Sequence, residues 1–501
     1  MDGEIKSLTR DKIKEMCDIL FNTNILELQF NEELLEVCLM CLTMQYAING
    51  DKRCKEVLRD MIKNSSIPFS KRVFIYEQLG SLNFREIEEK KIELEDAYAF
   101  LTKELKEKSR VAHFGNIKKE EIDQGCIVYI ITQFLGQRHS PTKVLLGLMK
   151  TINDYFEDIQ CIYVFNSAEL PQNSEEPNWK GAFCANYIEH NQSTIEYMLR
   201  EAGINRCGVG YEGSTPGNVT IEKLDTLAQE IYDLKPKYIF SIGAQCLLAE
   251  ICNTFTDVYT WPLSNDFPIT DSRYIIQYGR DTQVKEKKKN KYQSILEIPF
   301  SLNVFNNVNS TERSREEEGF KKEDFLISVV GNRLQIEVTD EFLKLCTKLM
   351  DKHNNVRIVF IGNYQEEEYR SKIDQKYIER FYSLGFQQDI VDAIQISDLY
   401  LNPIRSGGGL SCVAAMQGGV PVVSIDYGDV AGYLEPSFIM KDYEEMYEYV
   451  DKLISNKEMY KESCEKTERW LKKYTQNNYE LLMKYLEDRD KNADKRTTIL
   501  E

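Results

Sequence analysis

Histidine, basic residues and long apolar runs are all in short supply in this chain, and each shortage narrows what it can do. Only four histidines occur among 501 residues, His113, His139, His190 and His353, with no ligand spacing between them. A structural zinc site is therefore not expected. No stretch of about 18 consecutive apolar residues exists, so no helical membrane span is expected. The opening residues, MDGEIKSLTRDKIKEMCDIL, mix charges and lack the apolar core of a signal peptide. Lysine and arginine number 63 against 81 aspartates and glutamates, a net charge of −18. That balance argues against a general nucleic-acid or anionic-membrane binder. Proline is nearly missing from the first 110 residues, where Pro68 stands alone.

What is present reads as a globular protein. Hydrophobic residues make up 42% and charged residues 29% of the chain, a length that predicts two or three domains. Thirteen cysteines are scattered along it, several in apolar runs (Cys38 and Cys41, Cys126, Cys161). Without a signal peptide they read as reduced core residues of a cytoplasmic protein.

Residues 1–112 carry apolar residues at helical spacing, as in FNEELLEVCLMCLTMQYAI after the cap Asn31. A second helix is expected through NFREIEEKKIELEDAYAFLTKELKEK, whose mixed charges suit a solvated face. The segment contains no catalytic constellation. Its expected roles are acceptor or partner binding, oligomerisation, or packing on the next domain.

The pattern changes near Gly125. The apolar, β-branched run CIVYIITQFL predicts a strand buried on both faces. The polar loop Gly136 to Thr142 and helix KVLLGLMKTINDYF come next, and then strand CIYVFNS. A long loop at 168–190, a helix, a glycine-rich turn, another helix and strand KYIFSIG extend the alternation. Residues 113–310 thus predict a first Rossmann-like domain that ends in a linker beginning at SILEIPF.

A second such domain is expected over 311–441. Strand FLISVVGNRL ends in Gly331-Asn332-Arg333, and strand VRIVFIGNY ends at Asn363 and Tyr364. YSLGFQQ and strand DLYLNPI come after them. The chain then reads Tyr400 to Ser424, YLNPIRSGGGLSCVAAMQGGVPVVS, in which Gly407, Gly408 and Gly409 open a helix over Leu410–Gln417. Glycines at a helix entrance let an anion approach bare amides, so the turn is either a phosphate seat or a packing turn. Arg333 pairs with Glu337 or Asp340, or it binds phosphate. Residues 442–501 predict C-terminal helices with a charged tail, the final dozen residues disordered. The fold class is α/β: two tandem doubly wound domains after an all-α segment. Ligands of such sheets bind beyond the C-terminal strand ends.

SVVGNRL, FIGNY, SLGF and NPIRSGGGLSCVAAMQGGVPVVS together resemble the GT-B glycosyltransferases, over roughly residues 125–480. Helices ahead of such a pair resemble the O-GlcNAc-transferase type of cytoplasmic protein glycosyltransferase. The resemblance implies transfer of a sugar, hexosyl or N-acetylhexosaminyl, from a nucleotide donor, UDP-linked, to a protein or peptide side chain. The nucleotide sugar is then a co-substrate, and neither metal nor other cofactor is implied. Arg333, with Arg405 as a second candidate, and Ser406, Gly407, Gly408, Gly409 and Leu410 would hold the diphosphate. Gly385 and Phe386 would meet the base, and Asn363 lies on the same rim. On the acceptor side, His139 is the candidate general base, or else a helix cap or phosphate contact. Gln137, Arg138 and Thr142 would hold donor or acceptor, and Glu297 and the 168–190 loop are further cleft groups. One departure stands out. Where retaining members carry a glutamate, the helix after the glycines reads Val413-Ala414-Ala415. Asp426 or Asp429 is left to contact ribose or sugar hydroxyls. Two other functions fit the same resemblance, a glycan or small-molecule transferase and an inactive relative that binds an acceptor protein.

Overall fold

The computed structural model describes residues 10–86, 90–132, 134, 140–169, 192–211, 219–263, 267–277, 292–298, 313–387, 389–472 and 478–497. The chain divides into two compact units, Met1–Gln277 with Lys287–Leu296, and Tyr278–Glu286 with Glu297–Glu501.

The first unit begins with helices α1 (Arg10–Phe21), α2 (Glu32–Asn49), α3 (Lys52–Ile62), α4 (Phe69–Arg85) and α5 (Glu95–Lys108). Asn31 and Asp51 cap α2 and α3, accepting the amides of Leu34 at 2.8 Å and Arg53 at 3.0 Å. The single helix expected through residues 83–108 is in fact broken after Arg85. The Asn83 side chain donates to the Ile92 carbonyl at 2.8 Å and accepts its amide at 3.2 Å, giving that backbone partners outside a helix.

Seven strands come next: β1 (Asp123–Ile131), β2 (Cys161–Asn166), β3 (Cys207–Tyr211), β4 (Pro236–Ile242), β5 (Val258–Trp261), β6 (Tyr274–Gln277) and β7 (Ser294–Glu297). They lie in the order β3-β2-β1-β4-β5-β6-β7, parallel from β3 to β6. Between them run α6 (Ser140–Tyr155), α7 (Gln192–Glu201), α8 (Ile221–Leu234) and α9 (Leu247–Cys252).

Two of these strands correct the sequence-based expectation. The glycine-rich turn holds β3, because its glycines make room for aromatic rings on β2. A Cβ on Gly208 would sit 2.4 Å from the Tyr163 ring, and one on Gly210 2.2 Å from the Phe165 ring. The expected linker at SILEIPF contains β7.

One core serves the helices and the sheet. Cys126, Val128 and Ile130 of β1 cluster with Leu39, Leu58, Leu79 and Leu101 of α2 to α5 and with Leu227 of α8. The Tyr98 hydroxyl accepts the Cys246 amide at 3.2 Å, Lys106 Nζ pairs with Glu250 at 3.2 Å, and Ser109 Oγ donates to Asp225 at 2.6 Å. The cysteines are less scattered than the sequence suggests. Cys17, Cys38, Cys41 and Cys54 come together among α1 to α3, all fully buried. Burial pushes the Cys38 thiol up to about 11 and Cys41 to about 12, so both stay protonated and inert.

The second unit holds β8 (Phe325–Val330), β9 (Val356–Ile361), β10 (Phe381–Ser383), β11 (Leu399–Leu401), β12 (Val422–Ile425) and β13 (Ile439–Met440). The order is β10-β9-β8-β11-β12-β13, parallel throughout. Its helices are α10 (Leu334–Glu337), α11 (Asp340–Lys352), α12 (Glu366–Arg370), α13 (Ile390–Ile394), α14 (Gly409–Gln417), α15 (Gly428–Tyr433), α16 (Tyr443–Ser455), α17 (Lys457–Leu471) and α18 (Asn478–Thr497). The residues expected to be a disordered tail continue α18 as far as Thr497. Tyr479, Leu482, Met483 and Leu486 repeat at helical spacing and are buried, which gives this helix its apolar face.

In both sheets the strand order reverses once, between β1 and β4 and between β8 and β11. Each reversal sends adjacent crossovers to opposite faces and opens a crevice at the C-terminal strand ends.

Candidate active site

The glycine-rich turn after β11 lies on one lip of the second crevice. Gly408, with φ +103°, turns the chain into α14, whose first turn contains no acidic residue and no side-chain cap. Unsatisfied amides and the positive end of the helix dipole together make such a helix start suited to an anion. Gly409 must lack a side chain, because a Cβ would lie 2.4 Å from the Tyr433 ring. The turn is also pinned from below. The Asp429 amide donates to the Ser406 carbonyl at 2.8 Å, and Gly428, with φ +72°, lies so close that a Cβ would come within 2.0 Å of the Arg405 carbonyl oxygen.

Arg405 was expected to reach toward phosphate, and the structure turns it inward. Its side chain is 4% exposed. Nε donates to Asn402 Oδ1 at 2.8 Å, Nη1 to Glu337 Oε2 at 2.9 Å, and Nη2 to the Tyr400 hydroxyl and to Ser411 Oγ at 3.4 Å. Ser411 Oγ in turn donates to the Gly408 carbonyl at 2.7 Å. Burial opposes the guanidinium charge, but Tyr400 and Glu337 outweigh it and hold the pKa above its ordinary value. Arg405 is thus the internal strut of the turn.

Arg333 stands on the opposite lip, after β8. Its side chain is 29% exposed, and Glu337 Oε1 accepts from its Nε at 3.1 Å and its Nη2 at 3.0 Å. The ion pair considered from the sequence is therefore formed, and the same carboxylate also holds Arg405. Spacing of four residues made the Arg333–Glu337 contact legible. Nothing local signalled that Glu337 also reaches a residue 68 positions away.

The other expected donor residues occupy the same edge, strand by strand. Asn363 is exposed after β9. Gly362 before it packs on Gly331, where a Cβ would come within 1.8 Å of the Gly331 carbonyl oxygen, and its amide donates to Gly385 at 2.9 Å. Gly385 has φ +64°, and Phe386 beside it is 51% exposed. From the glycine turn to Phe386 is three strand spacings, about 14 Å.

In the first unit, Gln137, Arg138 and His139 lie outside the described residues, and Thr142 is buried in α6. The 168–190 loop contributes Glu169, which is 2% exposed. It accepts the Leu247 amide at 2.9 Å and the Leu248 amide at 3.2 Å, capping α9, and follows Ala168 at φ +50°. Burial pushes its carboxyl up against the pull of those amides. With its oxygens so occupied, Glu169 holds the first crevice together. Among the described residues no group of three or more His, Cys, Asp or Glu could hold a metal ion, and no helix is long and apolar enough to cross a membrane.

Residues 310–470 match the family model of glycosyl transferases group 1. Over 97% of this chain and 98% of the other, the structure is similar to a mutant of the O-GlcNAc transferase of Thermobaculum terrenum, with TM-score 0.51 and 12% identity. A glycosyltransferase from Rickettsia africae is similar over 72% of this chain and 97% of its own, with TM-score 0.50 and 11% identity. No curated protein matches by sequence. The protein has the GT-B glycosyltransferase fold. The matched residues 310–470 fall in its second unit and include the glycine-rich turn described above.

Proposed function

We propose that the protein transfers a sugar from a nucleotide-sugar donor, UDP-linked, to a protein or peptide side chain, without a metal. The observation that carries this reading is the pairing of an uncapped helix N-terminus on β11 with Arg333 on β8, across the switch point of the second sheet. An extended nucleoside diphosphate can lie along that edge, its phosphates at the seat and its base near Phe386. The acceptor O–H or N–H attacks the anomeric carbon as the bond from that carbon to the phosphate oxygen breaks. The diphosphate leaves with the electron pair, the acceptor proton passes to a base, and helix dipole and guanidinium offset the developing charge. His139 remains our candidate base, on sequence grounds. The helices ahead of the first sheet are the proposed acceptor-facing part, and a cytoplasmic location goes with this reading.

A second reading rests on Ala414, which is buried and leaves α14 without the carboxylate of retaining relatives. It makes the protein a nucleotide binder that presents an acceptor without turnover. Calorimetry with UDP-, GDP- and dTDP-sugars, followed by nucleotide-release assays, separates the two. Binding with release supports the transferase, and binding without release supports the second reading. If no nucleotide binds at millimolar concentration, both fail. Arg333→Ala should weaken binding of the nucleotide. His139→Ala should slow release while leaving affinity unchanged.

A further inference from the structure

We propose that Glu337 is the positioning residue of the diphosphate seat, one carboxylate that fixes the half-buried Arg333 against the interior strut Arg405. The proposal rests on the transferase reading in taking Arg333 to meet phosphate, and it adds the group that decides where Arg333 points.

Continuous contacts join the two lips of the crevice. The Gly408 carbonyl accepts from Ser411 Oγ, which accepts from Arg405 Nη2. Arg405 Nη1 donates to Glu337 Oε2 at 2.9 Å, and Oε1 of the same carboxylate takes Nε and Nη2 of Arg333 at 3.1 and 3.0 Å. Glu337 is 7% exposed, and its neighbour Arg405 is held by Asn402 and Tyr400 as well. Through this carboxylate Arg333 is tied to the glycine turn.

Stability alone is a weak account of this triad. Buried ion pairs and triads are often replaced by well-packed apolar groups with no loss of stability, so a carboxylate between two guanidiniums is better explained by geometry. Two positive groups and one negative leave one net positive charge, which suits an anionic ligand. The arrangement also fixes a planar fork, which recognises phosphate oxygens best when its orientation is set beforehand. Glutamine at 337 could offer only one oxygen. Its amide N–H₂ would face one of the guanidiniums, donor against donor, and Arg333, the more exposed of the two, would swing away.

The test is a double-mutant cycle read by calorimetry, using UDP, GDP and dTDP as probes and the matching nucleosides as controls. In the otherwise native chain, Glu337→Gln should lower affinity for the diphosphate that binds by about tenfold, or about 1.4 kcal/mol. Affinity for the nucleoside should not change. In an Arg333→Ala background the same substitution should change diphosphate affinity less than twofold. An equal loss in both backgrounds would put the effect on the seat through Arg405 and overturn the proposal. No loss in either background, or tighter binding in the native background, would overturn it too. Should Glu337→Gln fail to fold, Glu337→Asp keeps the charge but is one methylene too short to span both guanidiniums. It is expected to give the same pattern, and an unchanged affinity would count against the proposal. Failure of the wild-type chain to bind any of the three diphosphates is a different result, one that removes the transferase reading and the proposal together.

Discussion

Arg405 offers the sharpest test of how the glycine seat is built. If its guanidinium is a strut, replacing it by methionine, which has similar reach and no charge, should cost stability before it costs ligand. The substitution removes four donor contacts, to Asn402, Glu337, Tyr400 and Ser411, all inside the fold. Breaking a buried charged pair from one side costs about 3–5 kcal/mol. Arg333 still covers one oxygen of Glu337, so the lower end, about 3 kcal/mol, is the expectation. In a unit of this size each kcal/mol moves the midpoint by about 2–4 °C, so Tm should fall by about 6–12 °C. Arg405→Lys keeps the charge but has no fork, and should fall in between. Differential scanning fluorimetry gives the midpoints, and calorimetry with UDP, well below them, gives the affinities. A variant that melts within about 1 °C of the native protein but no longer binds the nucleotide would refute the strut and make Arg405 a ligand-binding group.

Three further outcomes depend on single contacts. Gly428→Ala puts a Cβ 2.0 Å from the Arg405 carbonyl oxygen at φ +72°, and should destabilise by about 3 kcal/mol or more, seen as a Tm loss and a weakened nucleotide site. Tyr364 is fully buried and its hydroxyl has no hydrogen-bond partner among the described residues, so Tyr364→Phe should be neutral or stabilising by up to about 1 kcal/mol in urea unfolding. Burial pushes the Asp451 carboxyl up, but Lys352 and His353, each 2.8 Å away, more than reverse that and hold it below its ordinary value. A depressed carboxylate stabilises the fold above its unfolded pKa, near about 4, and loses that effect as pH falls through the folded value. Asp451→Asn should therefore flatten the acid side of the stability profile below about pH 4, by no more than about 1 kcal/mol.

The parts of the fold that were legible in the sequence are those set by local pattern. Runs such as CIVYII and VRIVFI announce strands covered on both faces. That the strand-end residues of the second sheet share one edge was legible too, because parallel strands put every C-terminal end on the same side. The misses come from partners far away in sequence. Gly208 and Gly210 read as a turn until the Tyr163 and Phe165 rings are laid over them. Residues 83–108 read as one helix because nothing nearby reveals that Asn83 holds Ile92. Arg405 was a second phosphate candidate through the resemblance alone, whereas its place is decided by Glu337 and Tyr400.

The core shared by the opening helices and the first sheet has a practical consequence. Cutting the chain near residue 112 would not release a self-sufficient catalytic piece. It would strip the cover from Cys126, Val128 and Ile130 and leave an oily sheet face that seeks another copy of itself. It would also leave Glu250 buried without Lys106. Loss of transfer in such a truncated chain would report collapse and clumping rather than a missing acceptor platform. The helices are better questioned in place, by changing exposed side chains such as Ile19, Met44 and Ile48 one at a time, with the scaffold beneath them intact.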